Sequence, residues 1–203
     1  LHRVDRRQRQ MCIRDRHTAD AVTVSLHCEK NFPARKAQSD WDIPLPMGMG
    51  DADYLNVVDD TLNYLLPLYQ PDLVLYDAGV DVHQDDALGY LKLTDAGVAE
   101  RDERVMRHCL GRDIPVVGVI GGGYSKDRQA LARRHGILHH SAQRSGNRQG
   151  ATDIRRRYPH PLWNRLWISW EKASAALVPR DLKAIACCLL YTSPSPRDLS
   201  TSR

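Results

Sequence analysis

Hydrophobic and polar positions alternate between two periods along the middle of the chain. Residues 21–27 (AVTVSLH) form a β-branched run that predicts a buried strand. Residues 31–40 are polar and irregular, and 43–46 fit a short extended piece. From 51 to 66 the apolar residues Tyr54, Leu55, Val58, Leu62, Leu65 and Leu66 recur at three- and four-residue spacing. That is one face of an amphipathic helix, with acidic residues at the N-terminal end where the helix dipole favours them. Pro67 and Pro71 are expected to close it. A second buried strand is predicted over 73–79 (LVLYDAG). A second helix is predicted over 95–110, capped by Thr94, with Val98, Val105, Met106 and Cys109 on one face and Gly111 as its stop. Residues 114–120 (IPVVGVI) read as a third strand running into Gly121, Gly122 and Gly123. Ser125 is placed to cap a third helix from 126 to about residue 135.

Strands alternating with helices predict an α/β architecture of three layers, α/β/α, in which a mostly parallel sheet is covered on both faces. Ligands in such sheets collect beyond the carboxyl ends of the strands. Here those ends are residues 78–86 and 121–124, the two most unusual stretches of the chain.

Composition changes the picture in one respect. The formal charge of +4 suggests a phosphate-bearing partner, but the positive charge lies at the ends. Residues 17–142 hold 12 basic against 19 acidic residues, whereas residues 143–203 hold 11 against 4. The central segment would repel a nucleic-acid backbone, so no direct nucleic-acid partner is expected. No run of 18 apolar residues suggests a membrane span, and no apolar leader is visible. Five cysteines without paired spacing point to a reduced, cytoplasmic setting.

The ends have a character of their own. Residues 1–16 (LHRVDRRQRQMCIRDR) show neither helical nor strand periodicity, and residues 188–203 are rich in Ser, Pro and Arg. Both resemble translated sequencing-adaptor DNA, and both are expected to be non-native, unstructured tails. Residues 143–187 carry no assignment. Within them Trp163, Leu166, Trp167 and Trp170 share one face of a possible helix, a stripe that more often marks core packing than a membrane or partner surface.

Two constellations bear on chemistry. The first is Asp77-Ala-Gly-Val-Asp81-Val-His83-Gln-Asp85-Asp86, in which Asp81 lies just past a buried strand. Carboxylate and imidazole groups at such a rim suit zinc and harder cations. The plainer reading, for His83 or Asp85 taken singly, is a polar loop or helix cap. The second is Gly121-Gly-Gly-Tyr124. Three glycines after a strand let the backbone pass close to a ligand. A phosphate-binding loop is one reading, but a tight strand-to-helix turn is the stronger one for this segment alone.

Taken together, AGVDVHQDDALGYLKLTDAGVAERD and VVGVIGGGYSKD strongly resemble the distal half of histone-deacetylase-family proteins, closest to bacterial members related to class IV. SLHCEKNFP, residues 25–33, matches the segment after that family's first metal-ligand motif. The resemblance covers residues 17–142 and implies an incomplete arginase/deacetylase-like fold. It implies a zinc-dependent hydrolase of N-acyl amides, acting on acetyl-lysine in a protein or peptide, or on an acetylated small amine.

Residue by residue, the resemblance makes Asp81 a zinc ligand and Tyr124 the donor to the developing oxyanion. Phe32, Gly122 and Gly123 would line the substrate channel. Ser25 and Leu26 match positions that hold potassium in some members, and Asp86 matches a supporting carboxylate behind the site. His83 falls at a variable position and is not counted as a ligand. The family's Asp-x-His ligands and tandem His pair precede the matching region, and nothing in residues 1–26 stands for them. The chain alone is therefore expected to be inactive. An arginase-like manganese amidinohydrolase and a non-catalytic phosphate- or nucleotide-binding module using the Gly121–Tyr124 loop stand as alternatives.

Overall fold

The computed structural model describes residues 21–32, 36, 38–148 and 184–188. In chain order the elements are β1 (Ala21–Cys28), β2 (Trp41–Leu45), α1 (Asp51–Tyr69), β3 (Leu73–Asp77), α2 (Asp95–Leu110), β4 (Val116–Val119), α3 (Arg128–Arg148) and β5 (Ala184–Cys188). The two tails, apart from Cys188, and the tryptophan stripe lie outside the described residues.

The predicted periods are realised with three adjustments of length. Helix α1 runs through Pro67 to Tyr69. A proline in the last turn forfeits only one intrahelical bond, and Gln70 then takes a left-handed backbone (φ 44°) and returns its amide to the Leu66 carbonyl at 2.9 Å. Strand β4 is shorter than expected, because the Ile114 amide folds back onto the Cys109 carbonyl at 2.9 Å instead of joining the ladder. Helix α3 is longer. Asp127, rather than Ser125, caps it by accepting from the Gln129 and Ala130 amides at 2.9 and 3.0 Å. It contains Gly136 and Gly146, which disfavour helix. Packing on α2 offsets that: Leu138 and Ser141 are buried, and Arg144 Nε donates to Glu103 at 2.6 Å.

All strand pairings in the described sheet are parallel, in the order β2-β1-β5-β3-β4. The central strand, β5, comes from a stretch to which the sequence analysis gives no element, and Cys188 closes it. Val24 and Tyr76 both stand level with Cys187 across the β5 pairings, and Val74 with Val116 across β3–β4. Val24, Leu26, Val74 and Tyr76 are fully buried. Burying one such side chain stabilises the fold by about 1.5–3 kcal/mol.

The three helices form one layer on this face. Tyr76 bonds to Asp102 of α2, Leu138 of α3 packs over Gly118, and α1 lies against α2. Alternate strand residues point to the other side. There Leu75 is 41% exposed and Val117, its register partner, is 46% exposed. Among the described residues no helix covers that second face.

Candidate active site

Strands β3 and β4 are parallel neighbours, so the segments that leave their carboxyl ends run side by side. The Ala78 amide donates to the Val119 carbonyl at 2.9 Å, and the Val80 amide to the Gly122 carbonyl at 2.7 Å. Two residue choices make this close approach possible. Gly123 has φ +149°, a backbone that side chains with a Cβ rarely adopt. A Cβ on Gly122 would stand 3.0 Å from the Asp81 carboxylate. Of the glycines predicted to line a substrate channel, Gly122 thus lies directly against the predicted zinc ligand, while Gly123 lies against Val80 and Leu131.

Asp81 itself is 2% exposed. The segment after it is held by Asp86. One Asp86 oxygen accepts from the Leu88 and Gly89 amides at 2.9 and 2.8 Å, and the other accepts from the Tyr124 amide at 2.6 Å. The Ala87 amide in turn donates to the Tyr124 carbonyl at 3.0 Å. Asp81, Asp86, Gly122, Gly123 and Tyr124 are therefore assembled at one rim, from loops 36 or more residues apart in sequence.

His83 is engaged on both sides. Its Nδ1 accepts from the Asp85 amide at 3.1 Å, which leaves Nε2 to carry the proton toward Asp95 at 3.2 Å. Burial, and then the Arg134 guanidinium, hold its pKa below the ordinary value, against the pull of Asp95, Asp85 and Asp86.

Ser25 and Leu26 lie on β1, across β5 from this rim, with Ser25 level with Asp77 through Cys188. Leu26 is wholly buried, and Ser25 Oγ shares a 2.9 Å hydrogen bond with His27 Nδ1. Phe32, in the loop after β1, is largely exposed. Its neighbour Asn31 is buried and accepts from the Tyr90 amide at 3.1 Å, which ties that loop to the segment following Asp86.

A group that the sequence analysis did not single out lies beneath the rim. Arg101 of α2 is 0% exposed; its Nη1 donates to the Gly79 carbonyl at 2.6 Å and its Nε to Asp102 at 2.9 Å. Asp102 also accepts from the Tyr76 hydroxyl. Burial opposes the charge on Arg101, but the Asp102 carboxylate outweighs it and raises the guanidinium pKa. Burial likewise pushes the adjoining Tyr54 hydroxyl up to about 12. The turn between Asp77 and Asp81 thus rests on a buried ion pair. The sequence carries a trace of it, since Arg101 stands three residues after Val98 and four before Val105, on the helix's apolar face.

The donor set fits a metal only in part. Asp81 supplies one buried carboxylate, packed so closely against Gly122 that a Cβ there would crowd it. Among the described residues no three His, Cys, Asp or Glu side chains converge on a point that could hold an ion.

Fold and rim together define a parallel α/β protein whose candidate site residues gather beyond the ends of β3 and β4. The family's histone deacetylase domain model matches residues 10–139. The chain belongs to the histone deacetylase family. It is similar to an uncharacterised protein of Picosynechococcus sp., with 47% identity over 121 residues, covering 60% of this chain and 40% of that protein. It is also similar to a probable deacetylase of Archaeoglobus fulgidus, with 35% identity over 101 residues, covering 48% and 27%. Among solved structures, an acetylpolyamine aminohydrolase from Burkholderia pseudomallei matches with a TM-score of 0.49 and 21% identity, covering 61% and 37%. The chain thus spans well under half the length of these relatives.

Proposed function

We propose that this chain is the distal portion of a zinc-dependent deacetylase, an N-acyl amide hydrolase acting on acetyl-lysine in a protein or peptide, or on an acetylated small amine. The observation that carries this reading is the pairing of a buried Asp81 with Tyr124 at one rim, the two loops joined through Asp86. Zinc, when bound, supplies Lewis acidity that polarises an amide carbonyl and makes water a stronger acid.

The chain's own residues have narrower tasks. The Asp81 carboxylate serves as one anionic oxygen ligand. Gly122 and Gly123 line the channel through which a slender acyl amide reaches it. The Tyr124 hydroxyl donates to the carbonyl oxygen as negative charge builds there, and Asp86 fixes the backbone from which that tyrosine projects. A further pair of ligands and the groups that take and return protons come from the upstream portion of the family domain. Water adds across the amide carbon, the C–N bond breaks, and acetate and the free amine leave.

Metal analysis and an acetyl-lysine peptide assay test the reading. They are run on the chain as it stands and on the chain joined to the upstream portion of the Picosynechococcus relative. The chain alone is expected to hold no stoichiometric zinc and to turn over nothing, and the completed protein to do both. In the completed protein Asp81→Ala should abolish zinc binding. Tyr124→Phe should keep the zinc but lower kcat by about 10²–10³, the loss of one oxyanion donor. Zinc-dependent turnover by the chain alone, or normal zinc content without Asp81, would overturn the reading.

A further inference from the structure

Behind the glycine loop lies a histidine that the candidate site does not use. His135 stands on α3, one turn after Leu131, and is half-buried. A Cβ on Gly123 would come within 2.5 Å of Val80 Cγ2, 3.0 Å of Leu131 Cδ1 and 3.6 Å of His135 Cε1. The bare face of Gly123, with its φ of +149°, therefore rests on these three side chains. The next residue is Tyr124, tied to Asp86 by its amide and to Ala87 by its carbonyl. We infer that His135 is the positioning residue of the Gly123–Tyr124 loop, and that a proton taken up on its ring releases that loop.

The seat of the ring supplies the coupling. His135 Nδ1 is buried, and among the described residues no group bonds to it. With the proton on Nε2, Nδ1 is a bare acceptor, the cheaper of the two states to bury unpaired. The imidazolium would bury an N–H donor and a full charge without a partner, which costs far more. No neighbour offers relief. Leu131 of the same helix and Val80 and Gly123 of the two loops are apolar, and the adjoining Arg134 is paired with Asp85 at 3.0 Å. Burial alone holds the His135 pKa below its ordinary 6.5. A proton on the ring is therefore accommodated only by moving the ring toward water, and that motion removes the support under Gly123.

Release of Gly123 passes to Tyr124 through one peptide bond. The Asp86 carboxylate and the Ala87 amide grip Tyr124 by its backbone alone, so a shift of that backbone loosens both bonds together. If the chain is the distal portion of a deacetylase, the oxyanion donor is in place only while His135 is neutral; this consequence rests on that reading. The coupling itself needs no zinc and no turnover, so its failure is distinguishable from failure of the deacetylase chemistry.

Nuclear magnetic resonance on the full chain, titrated downward from about pH 7.5, follows the His135 Cε1 proton beside the Gly123 and Tyr124 amides. All three should share one midpoint below 6.5. Across it, the protection of the Tyr124 amide against hydrogen exchange should fall at least about tenfold. His135→Phe keeps a ring in the seat but cannot take up a proton. In that variant Gly123 and Tyr124 should show no transition, and protection should persist. His135→Ala removes the prop, and Tyr124 should be poorly protected at every pH. The inference is overturned by amides that stay still while His135 titrates, by a Tyr124 transition that survives in His135→Phe, or by full protection in His135→Ala. A ring that takes up no proton until the whole chain unfolds overturns it too. The shared midpoint in the unsubstituted chain is read without either variant, so the test stands if one of them does not fold.

Discussion

At the scale of single residues, the rim is built by short polar side chains that satisfy backbone amides rather than one another. Asp86 accepts three amide hydrogens from two loops, so its carboxylate replaces the regular hydrogen bonding that irregular backbone lacks. Histidines out of full contact with water, His27 buried and His135 half-buried, show the opposite economy. Burial lowers the pKa of His135, and burial followed by Lys36 lowers that of His27, both from an ordinary 6.5. Above pH 6.5 the folded and unfolded chains are both neutral at these sites, and stability is undiminished. As pH falls below 6.5, the unfolded chain takes up protons that the folded chain resists, and stability is lost progressively down through the depressed folded values. Urea midpoints should therefore drop between pH 7.5 and 5.5, and the drop should shrink in His27→Gln and in His135→Gln. An equal drop in all three proteins would contradict these assignments.

At the scale of elements, α1 and α2 are joined at their N-terminal ends. The Asp51 carboxylate, in the first turn of α1, accepts from the Thr94 amide at 2.9 Å and the Thr94 hydroxyl at 2.7 Å. That hydroxyl caps α2 by accepting from the Gly97 amide at 3.0 Å. Thr94→Ala should cost about 1–2 kcal/mol, the usual value of such a cap. Asp51→Ala with Thr94→Ala should cost about 1 kcal/mol less than the two separate changes together, because they share partners. Denaturant unfolding of the four proteins measures this, and strict additivity would show that the contact contributes nothing. The cap at Thr94 was legible in the sequence, as were strands β1, β3 and β4 and helices α1 and α2, because each couples a clear period to a stop signal. The end of α3 was not, because its second half is polar and owes its helical state to α2. Arg101 was also hidden: charge normally marks the solvent face, and only its register with Val98 and Val105 places it inside. The segment Ala184–Cys188 carries no turn signal and only five residues, too few for a period to show. Asp81, Asp86 and Tyr124 were legible as a motif, whereas their hydrogen-bonded union through Asp86 required the two loops to be adjacent in space.

At the scale of the whole molecule, the described residues form a sheet whose helices all pack on one side. Helices α1, α2 and α3 pack on the face that holds Val74 and Tyr76, and the ion pair of Arg101 and Asp102 lies within that layer. The opposite face presents Leu75 beside Val117, with Ile120 following beyond β4. Contiguous apolar surface of this kind seeks a cover, and in a solution of the isolated chain the commonest cover is another copy. The colloidal behaviour should follow: an attractive osmotic second virial coefficient and a sedimentation coefficient that climbs with protein concentration. Val117→Glu places a charge at the centre of that surface, away from the helical core. It should turn the interaction repulsive while leaving the circular dichroism spectrum unchanged. If the wild-type chain sediments as a monomer at every concentration, the open face is not sticky, and its three large side chains are simply tolerated by water.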